Sequence, residues 1–483
     1  MEFLNLASMQ ATSWDILRIV ESLKLGGILV LPTETVYGIS VLLSRPNAVA
    51  GLHNFKGRRP GSVFSIALPD FAKVKRLLPN LPPLAERFAR RCWPGPMTLV
   101  LEIDECGIAI PEAIREMIAP EGTIGIRVSS HPVMRAILDA VEEPLVLTSA
   151  NLSGQPPACT AHDAASSLPP GVEIVVDGGP CEYREASTVV RIRGWNYEIL
   201  RKGVCSEEMV HRLASRIILF ACTGNTCRSP MAEAICRNML GVPAPEGLGT
   251  APGLTTSDQS APDKVARPAD EWIDSFGRSV GIGESEQENA GSQIPPMTSE
   301  IMPPHEFDAQ PSDTAPTNDT IPENDGPTTP PEQQESSTVT AEISLEKPAE
   351  VTAGKTEDGP EVFRPRQVEV LSAGMAAFEG DRISPLARKT LQLMEIDPGE
   401  HLATQLNEKL IRAADVIWVM SAGHRQAVIG RWPQAAARVQ LLDPGDNDIP
   451  DPYGADQATY QQCAETIQQS LLGRTDQLRD PEK

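Results

Sequence analysis

Between Leu240 and Val368 the chain runs for about 125 residues through Pro, Ser, Thr, Asp and Glu with few aromatics. Such a segment cannot bury enough apolar surface to offset the entropy of ordering it. Folded structure must therefore be assembled from what lies before and after. Residues 251–360 hold 22 acidic against 5 basic side chains, a net of −17, so only −6 of the formal −23 belongs to the rest of the chain. That remainder argues against a protein whose main affinity is for a nucleic-acid backbone. The tract reads as a solvated, disordered spacer.

The 483 residues are too many for one ordinary domain, and 41% hydrophobic content supports two or three cores. Nine cysteines without regular spacing do not form a secreted disulfide framework, which points to a reducing compartment. The opening MEFLNLASMQATSWDI lacks the pattern of a cleaved leader, and no run of 18 apolar residues occurs. The expectation is a cytoplasmic protein with no membrane partner.

Apolar residues at Trp14, Ile16, Leu17, Val20, Leu23 and Leu25 form a helical stripe that Gly26-Gly27 stops, and a buried strand follows over Ile28 to Leu31. Apolar runs at 98–103, 124–128, 144–148, 172–176 and 187–192 alternate with helical stretches at 47–55, 83–91, 132–141 and 161–168. The first 210 residues thus read as one mixed α/β unit ending near Ser206. A second start follows at Arg216: the strand IILFAC, a loop, and a helix from Pro230. Beyond the tract, VEVLSAG (368–374), helices over 384–395 and 404–413, strands at 416–420 and RVQLLD, and a helix over 455–472 resume the β-α-β succession.

Within the first unit LPTETVYGIS places Thr33, Glu34, Thr35 and Tyr37 at the carboxyl end of a buried strand, a natural ligand position. LHNFKGRRP, WPGPMTLV, TIGIRVSSHP, LTSANLSG, DGGP, ASTVV and ILRKG follow in that order. Together they resemble the YrdC-type threonylcarbamoyl-AMP synthases over roughly residues 12 to 205. The resemblance implies an enzyme that makes threonylcarbamoyl-adenylate and pyrophosphate from L-threonine, bicarbonate and ATP with Mg²⁺, for modification of tRNA, with tRNA-modification proteins as partners. It places Thr35, Arg127 and Ser187 around the threonine, and Lys56, Arg58, Ser62, Thr123, Ser149, Asn151 and Arg201 around the nucleotide. Cationic side chains there would neutralise the charge concentrated at the α-phosphate, and no covalent nucleophile is required. Two positions depart from the family pattern: Arg59 stands where Pro is usual and Ala67 where a threonine-contacting His is usual.

In ACTGNTCRSPMAEA, Cys222 and Arg228 take the spacing C-x₅-R between a strand and a helix N-terminus. Backbone N–H groups of such a loop converge on one anion, and the helix dipole favours a thiolate nucleophile beside it. Arg228 offers a planar fork to two phosphate oxygens, and Ser229 a donor to the thiolate. The acid for the leaving group must come from elsewhere, and IPDPYGAD supplies Asp451. These motifs with SAG resemble the low-molecular-weight protein tyrosine phosphatases, over 216–242 and about 366–475. The resemblance implies Cys222 as nucleophile, Arg228 as phosphate binder, Asp451 as acid and then base, and Asn225 and Ser229 as loop supports, with a phosphoprotein substrate and no tightly bound cofactor. It also implies a reversible Cys222–Cys227 disulfide. Thr226 stands where tyrosine-directed relatives carry an aliphatic residue and phosphoarginine-directed bacterial relatives carry Thr, so phosphoarginine enters beside phosphotyrosine as candidate substrate.

The expected architecture is therefore α/β throughout. A YrdC-like twisted mixed α/β domain (12–206) precedes a doubly wound parallel-sheet phosphatase (216–242 and 366–475), which a disordered acidic insertion (243–365) interrupts. Cys236 reads as core, and no knuckle or nearby His completes a zinc site with Cys222, Cys227 and Cys236, so no metal site is expected. The main reading is a bifunctional synthase and phosphatase. One alternative keeps the phosphatase and makes the first unit a non-catalytic nucleotide-binding regulator; another keeps the synthase and makes the second an inactive phosphoanion binder.

Overall fold

The computed structural model describes residues 1–7, 13–56, 64–152, 154–243, 362–365 and 368–478. Nearly all of the acidic tract lies outside the described residues, as do Arg58, Arg59 and Ser62.

Ten short strands form in the first part of the chain: β1 (Glu2–Asn5), β2 (Leu29–Leu31), β3 (Gly38–Leu42), β4 (Ser65–Ala67), β5 (Met97–Glu102), β6 (Thr123–Arg127), β7 (Leu145–Ser149), β8 (Ile174–Asp177), β9 (Thr188–Arg193) and β10 (Asn196–Arg201). With β12 (Val362–Phe363) they make one mixed sheet in the order β1-β8-β2-β3-β7-β4-β6-β5-β9-β10-β12. Side chains alternate across it, because successive residues of a strand point to opposite faces. Leu29 and Leu31 enter a core with Ile137 and Leu138 of the Pro132–Val141 helix, whereas Val30 enters the opposite core with Val49 and Leu52.

The helix over Ser13–Leu25 and the six expected strands are found within two residues of their predicted ends. The sheet, however, begins at Glu2 rather than at residue 12, and β3, β4 and β10 had no sequence expectation. Strands of three to six residues show too few alternations to be told from loops by periodicity. Beyond β10, Ser206 caps the Glu207–Ala214 helix by accepting the Met209 N–H, and that helix leads into the Arg216–Cys222 strand with one residue between.

The second sheet is wholly parallel, in the order β13-β11-β14-β15, from β11 (Arg216–Cys222), β13 (Val368–Gly374), β14 (Val416–Val419) and β15 (Val439–Leu441). On β11, Ile218, Phe220 and Cys222 face one core, and Ile217, Leu219 and Ala221 the other, so both faces are covered as a parallel sheet requires. The strand order reverses beside β11, and ligands of such sheets bind at the carboxyl ends next to the reversal. Helix boundaries in this unit differ from expectation by up to four residues. The helix expected from Pro230 begins at Arg228. The one expected over 404–413 covers only Glu408–Ala413, with Asn407 as cap. Thr404 and Leu406 instead bond through their main chain to Gly374, which holds that segment extended.

Candidate functional site

The loop after β11 is built around Asn225, a non-glycine residue at φ +56°, in the left-handed region that Asn tolerates better than most. Its N–H donates to Cys222 Sγ at 3.3 Å, and its side-chain amide donates to Ser229 Oγ at 3.0 Å and Ser372 Oγ at 2.9 Å. Its Oδ1 accepts the Thr404 N–H at 2.8 Å, and its carbonyl pairs with His401 Nε2 at 2.8 Å. Ser229 Oγ in turn lies 2.9 Å from Cys222 Sγ. A side chain at Gly374 would stand 2.6 Å from the Thr223 carbonyl, so the end of β13 meets the loop where only glycine fits.

Arg228, first residue of its helix, donates to the Ile449 carbonyl at 3.2 Å and to Asp451 Oδ2 at 2.5 Å. The three residues singled out from 229 positions of sequence thus meet at one loop. Cys227 Sγ pairs with Tyr460 OH at 3.3 Å, and Thr226 is half-buried with its hydroxyl 3.7 Å from Cys227 Sγ. All nine cysteines are free thiols. Cys236 is fully buried and burial pushes its thiol up to about 12, in keeping with a core role.

Several loop partners had no sequence signal. His401 and His424 are isolated histidines, and only the fold brings them here. His424 Nε2 lies 2.9 Å from Thr223 Oγ1 and its Nδ1 3.0 Å from Ser421 Oγ. Burial, then the Arg228 charge, lowers its pKa, which keeps the ring neutral near pH 7. Ser372 stands inside the SAG motif and could have been read from it.

In the first domain Arg127 is buried, with its Nη2 2.6 Å from Thr35 Oγ1 and 2.9 Å from Glu34 Oε1. Ser129 donates to the other Glu34 oxygen. Burial opposes ionisation of Glu34, but Arg127 and the hydrogen bonds of Ser129 and Arg127 outweigh it and hold the carboxyl below its ordinary range. Arg127 Nε is buried without a hydrogen-bond partner among the described residues. Ser187 Oγ accepts from Arg201 Nη2 at 3.0 Å and pairs with Thr98 Oγ1 at 3.0 Å. Burial, then the Arg127 charge, lowers the Arg201 pKa, so the two guanidiniums share one electrostatic neighbourhood.

Thr123 and Ser149 each stand two register positions from a partner of Ser65, on either side of the start of β4. The Thr123 hydroxyl is buried without a partner among the described residues. Asn151 donates to the Gln155 carbonyl at 2.5 Å. Lys56 ends the Pro46–Lys56 helix. Ala67 pairs with Arg127 on one side and Leu145 on the other. Thr98, within WPGPMTLV, is the partner of Ser187 that motif reading passed over. Among the described residues no group of three or more His, Cys, Asp or Glu could hold a metal, and no helix is long and apolar enough to cross a membrane.

A Sua5–YciO–YrdC family model, described as telomere recombination, matches residues 21–203, and a low molecular weight phosphotyrosine protein phosphatase model matches 217–265 and 363–482. A putative threonylcarbamoyl-AMP synthase of Mycobacterium tuberculosis is 32% identical over 209 residues, 43% of this chain and 93% of that protein. The threonylcarbamoyl-AMP synthase of Pyrococcus abyssi is 30% identical over 204 residues, 42% of this chain and only 58% of its own length. The solved structure of P. abyssi Sua5 complexed with L-threonine is 24% identical, covers 46% of this chain and 72% of that one, and has a TM-score of 0.40. Both matched families are families of enzymes. The chain belongs to the threonylcarbamoyl-AMP synthase family through its N-terminal part, and its C-terminal part is a low-molecular-weight phosphatase domain.

Proposed function

We propose that the chain is a bifunctional enzyme, an L-threonylcarbamoyladenylate synthase joined to a cysteine-dependent phosphoprotein phosphatase, with the synthase product serving tRNA modification. The observation that carries the first activity is the buried Arg127 guanidinium, which touches Thr35 and still has Nε without a partner among the described residues. A buried cation with a spare donor fits the carboxylate of an amino acid. Thr35 on Arg127, and Ser187 on Arg201, supply donors and acceptors for the rest of the threonine. Thr123, Ser149, Asn151 and Arg201, with Lys56, Arg58 and Ser62, form the nucleotide side, and Mg²⁺ arrives with ATP as part of that substrate. The threonine amine attacks bicarbonate and displaces water to give a carbamate, whose carboxylate oxygen then attacks the α-phosphorus of ATP while pyrophosphate leaves. The protein's part is alignment and neutralisation of charge.

In the second site Cys222 Sγ attacks phosphorus, Arg228 binds the phosphoryl oxygens, and Asp451 protonates the leaving group. Asp451 then takes a proton from the water that releases phosphate from the cysteine. The Arg228–Asp451 pair supports this reading, because a phosphoryl group replacing the carboxylate on Arg228 frees Asp451 for proton transfer. Thr226, half-buried at the loop, favours phosphoarginine: its hydroxyl can orient a guanidinium nitrogen or a water where a branched alkyl group would crowd it.

Both activities are tested on the intact chain. Pyrophosphate release should require threonine, bicarbonate and ATP together and be lost in Arg127→Ala, while Cys222→Ser should abolish only hydrolysis of p-nitrophenyl phosphate. Release without threonine would sink the synthase reading. Equal phosphoarginine turnover by Thr226→Ile and the unaltered chain would sink the substrate preference.

A further inference from the structure

We infer that Arg412, a residue of the phosphatase domain, is a positioning residue for the threonine site of the synthase domain. The inference rests on the reading of Arg127 and Ser187 as threonine-binding groups. The last carbonyls of any helix lack partners within it, and guanidinium groups satisfy them well. Here two helices, one from each domain, end on each other. Arg412, on the Glu408–Ala413 helix, donates to the Arg90 carbonyl at 3.2 and 2.9 Å and to the Trp93 carbonyl, at the end of the Pro83–Cys92 helix. In return Arg90 donates to the Arg412 and Ala414 carbonyls at 2.5 and 3.0 Å, and Arg91 to the Ala413 carbonyl at 2.9 Å.

What Arg412 holds is the start of the Trp93–Thr98 turn, and that turn sets both halves of the threonine site. Pro94 and Pro96 contribute no N–H, so the turn is fixed through few groups. The Gly95 N–H donates to the carbonyl of Val128, the residue after Arg127, at 2.8 Å. The Pro96 carbonyl accepts the N–H of Thr188, the residue after Ser187, at 3.1 Å. Thr98 Oγ1 meets Ser187 Oγ at 3.0 Å, and Trp93 Nε1 closes the turn on the Met97 carbonyl at 2.9 Å. A side chain at Gly95 would stand 2.5 Å from the Cys92 carbonyl, so the turn lies flush on the helix end. Trp93, Thr98 and Ser187 are buried, and a close-packed region passes a shift of its anchor to its neighbours. The junction therefore gives the fusion a catalytic consequence: the phosphatase domain supplies the cap that seats the synthase's threonine-binding residues.

The test measures threonine-dependent pyrophosphate release, at saturating ATP and bicarbonate, on the full-length chain carrying Arg412→Gln or Arg412→Lys. Hydrolysis of p-nitrophenyl phosphate in the same samples reports folding of the domain that bears the substitution. Arg412→Gln should raise the KM for threonine about tenfold, the scale of one lost hydrogen bond to a charged group. The KM for ATP and the phosphatase kcat should stay within about twofold. Arg412→Lys should recover part of the loss, because one ammonium replaces one of the guanidinium's carbonyl contacts. An unchanged threonine KM in Arg412→Gln with phosphatase turnover intact would overturn the inference, as would equal rises in the KM for threonine and ATP. Should Arg412→Gln fail to fold, Arg412→Lys decides: a raised threonine KM supports the inference and an unchanged one defeats it. Absence of threonine-dependent release from the unaltered chain would defeat the reading of the site and the inference with it, a result distinct from any Arg412 variant.

Discussion

Asn225 concentrates more of the phosphatase loop's geometry than the nucleophile does. Its backbone occupies the left-handed region, and its main-chain and side-chain groups meet Cys222, Ser229, Ser372, Thr404 and His401. Asn225→Ala keeps the backbone N–H but removes the amide that orients Ser229 and leaves the Thr404 N–H unpaired. We expect kcat for p-nitrophenyl phosphate to fall by about two orders of magnitude, the lower end of the range for losing one preorganised donor. The measurement is steady-state turnover together with the thermal midpoint, which should drop as well. Motif reading named Asn225 as a support, because the CTGNTCRSP string is local. It left out His401, which reaches the same residue across 176 positions of chain.

At the scale of elements, the ends of three helices meet around Asp415. Its carboxylate accepts from Arg87 at 3.1 Å, Arg90 at 2.8 Å, Arg91 at 2.8 Å and the Ile217 N–H at 2.9 Å. Arg87 also caps the Ala214 carbonyl, and Arg91 those of Leu213 and Ser215, at the end of the Glu207–Ala214 helix. Burial opposes ionisation of Asp415, but the three guanidiniums and the Ile217 N–H outweigh it and hold its pKa below the ordinary aspartate value. The guanidiniums suffer in turn: burial lowers the Arg91 pKa to about 10 despite Asp415. Removing the Asp415 charge leaves the buried cations largely uncompensated, so Asp415→Asn should cost about 3–5 kcal/mol at pH 7, read from urea unfolding. Because the folded pKa is depressed, this stabilisation is complete above the unfolded aspartate value near pH 4 and is lost as pH falls through the lower folded value. The variant should lack that part of the acid dependence; an identical pH profile would remove Asp415 from the role. Nothing in the periodicity of residues 83–92 or 408–413 distinguishes these arginines from a solvated helix face, so the sequence reading passed over them.

At the scale of the whole molecule, the strands on either side of the acidic tract interleave. β11, from before it, lies between β13 and β14, from after it, and pairs with β13 over all seven residues from Arg216 to Cys222. β12 adds Val362 and Phe363 to the edge of the first sheet, where Phe363 stacks on Tyr197 with ring centroids 5.6 Å apart. A chain cut once within 250–360 should therefore elute as a single species and keep phosphatase turnover, since loop closure contributes little beside the burial of both sheet faces. Separation of the fragments under native conditions would contradict it. Local signals sufficed for the two α/β units, the phosphate loop and most synthase motifs, because strand and helix periodicity and the C-x₅-R spacing act over a few residues. Long-range contacts decided the rest. The entry of β1 and β12 into the first sheet, the pairing of Thr98 with Ser187, and the junction at Asp415 and Arg412 join groups up to several hundred positions apart, and no pattern in either partner alone encodes their meeting.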